Sequence, residues 1–426
     1  MSAWRLPDGF LLGTATAATQ VEGGERNHDW AAFCERIPSP IVDKTTCLRA
    51  CDHWNRVEED VALQKELGCR VHRLGFEWSR LEPEEGRFDE NAVEHYRKEL
   101  ALLRAAGILP MVTLFHFSLP LWLSAQGGFE SERGILAFVR YAEFCARRFG
   151  DLVESWATVN EPNVYATVGY LGGIWPPGGK HPLRVALKVM RNLCLAHVDA
   201  YRKIHEVLGP AAKVGFAQHL RVFDPATKAP WDRLAARLLD RVFQSASTEV
   251  LCTGRLRFPL GCGAPRGRGD FCDFLGINYY TRDLVRLSLK SLYAVVPHPT
   301  APKSDLGWEL YPEGLERLSR TYHARYRKPL WITENGICDA KDVMRTEYLE
   351  SHLSSCAKLC AEGLPVERYY HWTLMDNFEW AEGESARFGL IETDFETQRR
   401  TIRSSGRWFA SVARDLAPPH ADAPVL

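Results

Sequence analysis

Two glutamates each follow a short apolar segment, and this repeated arrangement predicts chemistry that needs a pair of carboxylates. The first segment, residues 156–160, is followed by Glu161 and Pro162, and the second, residues 330–333, is followed by Glu334. Because proline lacks a backbone N–H and fixes its own φ, Pro162 ends the strand directly after Glu161 and holds this carboxylate at the rim of a sheet. The sequence therefore predicts paired carboxylate catalysis, provided that the fold brings the two strand ends together.

The segments that carry these glutamates belong to an alternating series of strands and helices. Strands are expected at residues 10–15, 71–78, 110–117, 156–160, 213–219, 271–280, 330–333 and 369–374. Helical periodicity predicts helices between most of them, at residues 53–67, 89–106, 134–149 and 185–208. Strands that alternate with helices and are buried on both faces pair in parallel. Eight such units predict a closed (β/α)8 barrel, although a doubly wound open sheet has the same local pattern.

Polar residues at the strand ends favour the barrel over the open sheet. The active site of a barrel lies at the face formed by the carboxyl ends of its strands, so polar side chains should recur there. They do, at Gln20, Arg73, His116, Asn160, Glu161, Asn278, Tyr280, Glu334 and Trp372. We therefore predict a single barrel domain over residues 1–416, followed by a loose tail rich in alanine and proline over residues 417–426.

The overall composition excludes several classes of partner. The 426 residues include 53 basic and 54 acidic side chains, a net charge of −1, so the sequence does not predict binding to nucleic acid, acidic polymers or anionic membranes. No apolar run reaches the roughly 20 residues that span a bilayer. Residues 1–7 lack the apolar region and cleavage site of a signal peptide. We expect a cytoplasmic location.

The twelve cysteines are scattered, and no pair has the C-x-x-C spacing. Cys47 and Cys51 are four residues apart, as are Cys356 and Cys360, but no histidine or second pair follows at the spacing of a zinc site. The adjacent residues Asp52 and His53 are too few for a metal-dependent barrel hydrolase. We expect free, mostly buried thiols in a reducing compartment, and no metal or other cofactor.

Ten motifs, taken in order and with their spacing, resemble glycoside hydrolase family 1 over nearly the whole chain. They are FLLGTA at 10–15, QVEG at 20–23, ACDHW at 50–54, WSR at 78–80, TLFH at 113–116, TVNEP at 158–162, GINYYT at 276–281, ITENG at 332–336, DNFEW at 376–380 and RFG at 387–389. This family comprises retaining β-glycosidases, which include β-glucosidases and β-galactosidases. The resemblance implies a single (β/α)8 barrel, in agreement with the strand count.

The resemblance also implies the catalytic roles, with Glu334 as the nucleophile and Glu161 as the acid/base. A retaining glycosidase needs its two carboxyl groups about 5–5.5 Å apart. Arg73 and the Tyr280 hydroxyl are expected to favour the charged form of Glu334. Glu161 has to hold a proton at neutral pH, which burial and repulsion from Glu334 are expected to promote. Most glutamates are exposed surface residues, but the positions of these two within matched motifs favour the catalytic interpretation.

Further residues resemble the sugar ligands of the family. The resemblance implies that the non-reducing sugar is bound by Gln20, His116, Asn160, Asn278, Glu379, Trp380 and Phe388, with Trp372 as the stacking floor. Trp308 resembles a residue that lines the aglycone site, and Trp175 is expected at the same entrance. The alternative for His116, Trp372 and Phe388 is plain packing in the core.

Three positions depart from the family pattern. Phe117 stands where many members have tryptophan, Glu384 replaces a frequent tyrosine, and Glu77 adds a carboxylate beside Trp78. These departures affect the fine shape of the sugar site and not the reaction. They leave the preferred sugar open among glucose, galactose, fucose and mannose.

We predict a β-glycosidase that acts on small-molecule or oligosaccharide substrates with terminal β-D-glucosyl residues, and also β-D-galactosyl or β-D-fucosyl residues. A phospho-β-glycosidase is one alternative, but the resemblance implies that Glu379 lies at the C6 position of the sugar, where its carboxylate would repel a phosphate. A catalytically dead carbohydrate-binding barrel is another, but such relatives lose one or both carboxylates. Thioglucosidases that carry glutamine as the acid/base residue are excluded by Glu161.

Overall fold

Eight parallel strands close into a barrel in this computed structural model, which describes residues 4–288 and 292–416. The strands of the main sheet are β1 (Leu11–Ala15), β2 (Val71–Gly75), β3 (Leu109–Phe115), β4 (Ser155–Asn160), β5 (Lys213–Pro225), β6 (Phe274–Ser288), β7 (Leu292–Val296), β8 (Leu330–Asn335) and β9 (Val366–Trp372). Neighbours pair in the order β1-β2-β3-β4-β5-β6-β8-β9, and β9 pairs again with β1. The ring of pairings confirms the barrel and excludes the open sheet.

Helices surround the barrel and cover the outer face of its strands, while the inner face is buried inside the barrel. The α-helices are α1 (Ala18–Val21), α2 (Asp29–Cys34), α3 (Val57–Glu66), α4 (Trp78–Leu81), α5 (Glu90–Ala105), α6 (Leu121–Ser124), α7 (Glu132–Phe149), α8 (Pro162–Val164), α9 (Leu183–Leu208), α10 (Pro230–Asp240), α11 (Ala246–Thr253), α12 (Glu313–Tyr326), α13 (Arg345–Ala361) and α14 (Ser404–Asp415). Short 3₁₀ segments lie at His53–Asn55, Gly128–Glu130 and Trp380–Glu382, and π-helical segments at Tyr165–Gly172 and Arg241–Ser245. Every residue of β2, β4 and β8 is buried, as expected of strands covered on both sides.

The predicted helices are confirmed, and their ends have the expected chemistry. The carboxylate of Asp89 caps α5 by accepting from the backbone N–H groups of Asn91 and Ala92 at 2.7 and 3.1 Å. Gly68 and Gly107 follow α3 and α5 with φ of 73° and 76°, the left-handed conformation that glycine adopts without a steric penalty.

Several strands differ from their predicted extents. The strand predicted over residues 213–219 continues to Pro225, and the strand predicted over residues 369–374 spans Val366–Trp372. The strand predicted over residues 71–78 ends at Gly75, because Glu77 caps the short helix α4 by accepting from the backbone N–H of Ser79 at 3.4 Å. The strand predicted over residues 271–280 spans Phe274–Ser288, and its outer part pairs antiparallel with β7. A second antiparallel pair, β10 (Ile391–Asp394) and β11 (Arg399–Ile402), was not predicted either.

The tail predicted over residues 417–426 lies outside the described residues. Within residues 4–288 and 292–416, no helix combines the length and the apolar character needed to cross a membrane. In the same residues, no group of three or more His, Cys, Asp or Glu side chains is arranged to hold a metal ion.

We expect Gly13→Ala to destabilise the barrel by about 2 kcal/mol or more, because a Cβ at this position overpacks the contact between β1 and β2. That atom would lie 1.7 Å from the backbone oxygen of Val71 and 2.9 Å from its Cγ2. Urea denaturation would measure the loss of unfolding free energy. Gly172→Ala is the control, since its added Cβ meets no atom closer than 3.5 Å. Equal stability of the two variants would contradict the proposed close approach.

Candidate active site

The two predicted glutamates lie at the carboxyl ends of β4 and β8 and line one cavity of about 400 Å³. Glu161 directly follows β4, and Pro162 begins α8, so the strand ends where the sequence predicts. Glu334 is the fifth residue of β8. Both side chains are buried, with 6% and 4% of the residue exposed. The closed barrel therefore brings together two carboxylates that are far apart in sequence.

Strained backbone accompanies the cavity. Glu161, Phe117 and Trp380 all line it, and all have left-handed φ values, 42°, 73° and 50° respectively. Such conformations are uncommon outside glycine and persist where surrounding packing enforces them. At each of these three positions the backbone changes direction at the end of a strand or within a loop, and the side chain lines the cavity.

Arg73 lies behind the residues that line the cavity and contacts both Glu334 and Asn160. It is fully buried, and its Nη1 donates to Glu334 Oε1 at 2.5 Å, its Nη2 to Asn160 Oδ1 at 2.7 Å and its Nε to Thr113 Oγ1 at 2.9 Å. The Tyr280 hydroxyl donates to the other oxygen of Glu334 at 2.6 Å. Both oxygens of Glu334 are therefore held by donors, which fixes the orientation of the carboxylate.

Glu161 has different partners. Asn278 Nδ2 donates to Glu161 Oε1 at 2.8 Å and to Asn160 Oδ1 at 3.0 Å, while Asn278 Oδ1 accepts from Thr333. His219 Nδ1 lies 3.0 Å from the same oxygen of Glu161. The sequence predictions did not include His219, although it ends the predicted strand 213–219. The rule that identified the other polar strand ends would have found it.

Burial acts on the pKa of Glu334 against its charged and hydrogen-bonding neighbours. Burial raises it, Arg73 lowers it, the charge of Glu161 raises it and the Tyr280 hydrogen bond lowers it, with a net increase from 4.5 to about 7. Arg73 and Tyr280 do favour the charged form, as predicted, but their effect is smaller than that of burial. The net rise of the pKa follows from the almost complete removal of the carboxylate from water.

The predicted sugar ligands gather on one side of the cavity. Gln20 Nε2 donates to Glu379 Oε2 at 3.1 Å, and Asn160 Nδ2 lies 3.1 Å from His116 Nε2. Gln20 Oε1 and His116 Nδ1 are buried and have no hydrogen-bond partner among the described residues. Buried polar atoms without partners are costly, so these two are available to bind the hydroxyl groups of a ligand.

Burial controls the charge of this side of the cavity. It raises the pKa of Glu379 to about 8, with a further increase from the charge of Glu334 and a decrease from the hydrogen bond of Gln20. Burial, followed by the charge of Arg73, lowers the pKa of His116 well below its usual value. His116 is therefore a neutral ring that can both donate and accept.

Aromatic rings form the walls. The rings of Trp372 and Trp380 are nearly parallel to His116, at centroid distances of 5.8 and 5.9 Å. At the mouth, Trp308 lies 5.5 Å from Tyr280 and 6.1 Å from Phe388. The predicted residues that line the cavity are Glu161, Glu334, Tyr280, His116, Trp308, Trp372, Glu379, Trp380 and Phe388, together with Trp175 at the mouth. Arg73, Gln20, Asn160 and Asn278 lie directly behind them.

The three departures from the family pattern have separate environments. Phe117 lines the cavity, 4.9 Å from Trp175. Glu384 does not line it and instead accepts from Arg49 at 3.0 and 2.5 Å. Glu77 is buried and accepts from the hydroxyls of Thr19 and Ser118 at 2.7 and 3.0 Å. Only Phe117 is therefore placed to change the shape of the binding site directly.

A closed (β/α)8 barrel that holds two buried carboxylates and aromatic walls in one cavity has the architecture of a barrel glycosidase. The sequence profile described as "Glycosyl hydrolase family 1" matches residues 2–258 and 269–417. The chain belongs to this family and is a glycoside hydrolase.

Individual relatives cover almost the entire chain. A β-glucosidase of Agrobacterium sp. is 34% identical, over 96% of this chain and 96% of its own length. A β-galactosidase of Pyrococcus woesei is 30% identical, again over 96% of each chain. The solved structure of the Thermotoga maritima β-glucosidase in complex with glucoimidazole has a TM-score of 0.90, 31% identity, and coverage of 97% of this chain and 99% of its own.

We expect Glu379→Gln to raise the melting temperature, and to raise it more at pH 8 than at pH 5. The folded-state pKa of Glu379 is about 8, whereas an unfolded glutamate has a pKa of about 4.3. Between these values the folded state binds more protons than the unfolded state, so this group destabilises the protein increasingly as the pH rises. Glutamine removes that penalty. Scanning calorimetry at both pH values would measure the difference.

The matched control is the same change at Glu347, which is exposed on α13. We expect Glu347→Gln to show no pH-dependent change in melting temperature relative to the unsubstituted protein. An equal effect of Glu379→Gln at pH 5 and pH 8 would contradict the raised pKa.

Proposed function

We propose that this glycoside hydrolase removes terminal, non-reducing β-D-glucosyl residues with retention of configuration, using Glu334 as the nucleophile and Glu161 as the acid/base. One observation carries the proposal. Two buried carboxylates line the same cavity, and one is held by Arg73 and Tyr280 while the other is held by neutral donors. Two carboxyl groups in unlike environments are what a retaining glycosidase requires.

The contacts support a distinct role for each group. In the first step, Glu334 attacks the anomeric carbon and Glu161 gives its proton to the departing glycosidic oxygen, forming a covalent glycosyl-enzyme. The negative charge of Glu334 is lost at this stage. Glu161 then accepts a proton from water, which attacks the same carbon and releases the sugar. Arg73 and Tyr280 stabilise Glu334 as the leaving carboxylate in this second step.

The proposed sugar-binding residues fit a neutral monosaccharide. Glu379, Gln20 and His116 offer acceptors and donors for hydroxyl groups, and Trp372 offers an apolar face. β-D-Galactosyl and β-D-fucosyl residues are included in the proposal, because one relative is named a β-galactosidase and because fucose differs from galactose only in lacking the C6 hydroxyl. The substrate is a small-molecule or oligosaccharide β-glycoside.

The phospho-β-glycosidase alternative is not favoured by the charges of the cavity. Arg221 is the only lysine or arginine among the described residues that line the cavity. Arg221 pairs with Asp283 at 2.8 Å and lies 5.8 Å from the ring centroid of Trp308, at the mouth. A phosphate at C6 would instead meet Glu379. The dead-barrel alternative is not favoured either, since both carboxylates are present and held in place.

We also propose that residues 1–416 form the catalytic unit and that the enzyme works in the cytoplasm. All twelve cysteines are free, which supports a reducing compartment. The net charge of −1 supports a function without a nucleic-acid partner.

We expect Glu334→Ala to lower kcat for a nitrophenyl β-glucoside by about 10⁴-fold or more, because the covalent step is lost. Added azide should restore turnover and give the α-glucosyl azide, since azide enters from the face that the carboxylate has vacated. Proton NMR of the product would identify the anomer. Glu347→Ala is the control and should keep full activity. Normal turnover by Glu334→Ala would overturn the proposal.

We expect Glu161→Ala to distinguish between leaving groups. Hydrolysis of a methyl or phenyl glucoside should fall by about 10²–10⁴-fold in kcat/KM, whereas a 2,4-dinitrophenyl glucoside, whose leaving group needs no proton, should be affected much less. Azide should here give the β-glucosyl azide, because Glu334 still forms the covalent intermediate. Equal losses on both substrates would count against an acid role for Glu161.

A further inference from the structure

A line of three side chains leads from the surface of the barrel rim to Glu161. Asp283 on β6 accepts from Arg221 Nη1 at 2.8 Å, and Arg221 Nε donates to His219 Nε2 at 3.0 Å. His219 Nδ1 then lies 3.0 Å from Glu161 Oε1. Arg221 and Asp283 are partly buried, and His219 is 6% exposed. The series has a direction, because its outer end is an ion pair and its inner end is the proposed acid/base.

Arg221 determines which nitrogen of His219 carries the proton. A guanidinium can only donate hydrogen bonds, so the Nε2 atom that it contacts must accept. The ring proton of a neutral His219 therefore lies on Nδ1, which donates to Glu161 Oε1. Arg221 on one side of the ring and Glu161 on the other therefore fix the tautomer of His219. The hydrogen-bond partner of one ring nitrogen sets whether the other nitrogen carries the proton.

We propose that His219 is a positioning residue for catalysis, which together with Asn278 keeps Glu161 Oε1 as a hydrogen-bond acceptor and so leaves Oε2 to carry the catalytic proton. Oε1 already receives N–H groups from both residues. A carboxylic O–H placed on that oxygen would oppose two donors. This inference rests on the assignment of Glu161 as the acid/base.

The backbone of neighbouring strands holds the contact between His219 and Glu161 in place. His219 on β5 lies opposite Asn278 on β6 in the strand register, and the backbone N–H of Glu161 donates to the oxygen of Ala217 on β5 at 2.8 Å. Both donors to Oε1 therefore come from neighbouring rigid strands and not from loops. Such placement holds a hydrogen bond more accurately than a loop does.

Side chains from several elements pack around His219 and Glu161. Tyr280 on β6 stacks on the His219 ring at 5.9 Å and 20°, and Phe243 contacts its edge at 5.9 Å and 90°. The titratable and charged groups that face the pair are Arg221 on β5, Tyr280 and Asp283 on β6, Glu334 on β8, Glu379 across the cavity and, through Asn160, Arg73 on β2. None of them replaces the N–H that His219 supplies to Glu161.

Loss of the hydrogen bond from His219 should change the pH dependence of the reaction. A hydrogen bond donated to a carboxylate favours its charged form, which is the form that Glu161 needs as a base in the second step. Without it, Glu161 stays protonated to higher pH. The basic limb of the kcat/KM profile, which reports loss of the catalytic acid in the free enzyme, should then move upwards.

The experiment compares His219→Phe with His219→Asn. Phenylalanine keeps the ring and its packing on Tyr280 but has no donor, whereas the amide nitrogen of asparagine can occupy the place of Nδ1. We expect the basic limb for phenyl β-glucoside to move up by about one pH unit in His219→Phe and by less than about 0.3 unit in His219→Asn. His205→Phe is the control, because His205 contacts the Asp273 carboxylate at 2.9 Å at the opposite end of the barrel.

The outcomes separate this inference from the proposed function. Glu161→Gln should abolish the basic limb, and if it does not, the acid/base assignment fails. If Glu161→Gln behaves as expected but His219→Phe leaves the limb unmoved, or His219→Asn moves it equally, the positioning role alone is wrong. Nitrogen-15 NMR of the histidine rings at pH 7 provides a check without a catalytic variant, since assignment of the proton to Nε2 of His219 would also overturn the proposal.

Discussion

The buried guanidinium of Arg73 is the constraint on which the site depends. An arginine removed from water costs several kcal/mol, on the order of the whole stability of a domain, unless its N–H groups find acceptors. Those acceptors come from three other strands: Thr113 on β3, Asn160 on β4, and both the Thr333 backbone oxygen and Glu334 on β8. They meet only when the barrel is closed. Closing the sheet and assembling the two carboxylates are therefore one event.

Burial makes the carboxylates of the cavity costly to ionise. Together with repulsion from a neighbouring glutamate, it raises the pKa of Glu334 to about 7 and of Glu379 to about 8. The protein bears this cost in its resting state. Positive charge develops at the anomeric carbon in the transition state of glycoside hydrolysis. The ionised carboxylate of Glu334, the proposed nucleophile, stabilises that charge more in the transition state than in the neutral substrate.

Much of this arrangement could be predicted from sequence because it follows local rules. Mostly apolar runs of four to ten residues between helical segments identified all eight barrel strands, and polar residues at their carboxyl ends identified the side of the barrel that holds the site. Pro162 marked the end of β4 to the residue. The resemblance of the motifs to glycoside hydrolase family 1 then predicted the reaction and the role of each residue. The hairpin of β6 and β7 was not predicted, because its strands gain their pairing beyond the buried barrel, where apolar runs give no signal.

By itself, the sequence determined which residues the strands deliver to the rim and which chemical groups they carry, because both depend on neighbours within a few positions along the chain. Only the tertiary structure decided how those groups act on one another. The contact of His219 with Glu161 depends on the register between strands, and the proton on His219 depends on Arg221. The pKa of Glu334 depends on how completely the closed barrel excludes water. Electrostatic interactions follow distance and burial, and neither is encoded in local spacing.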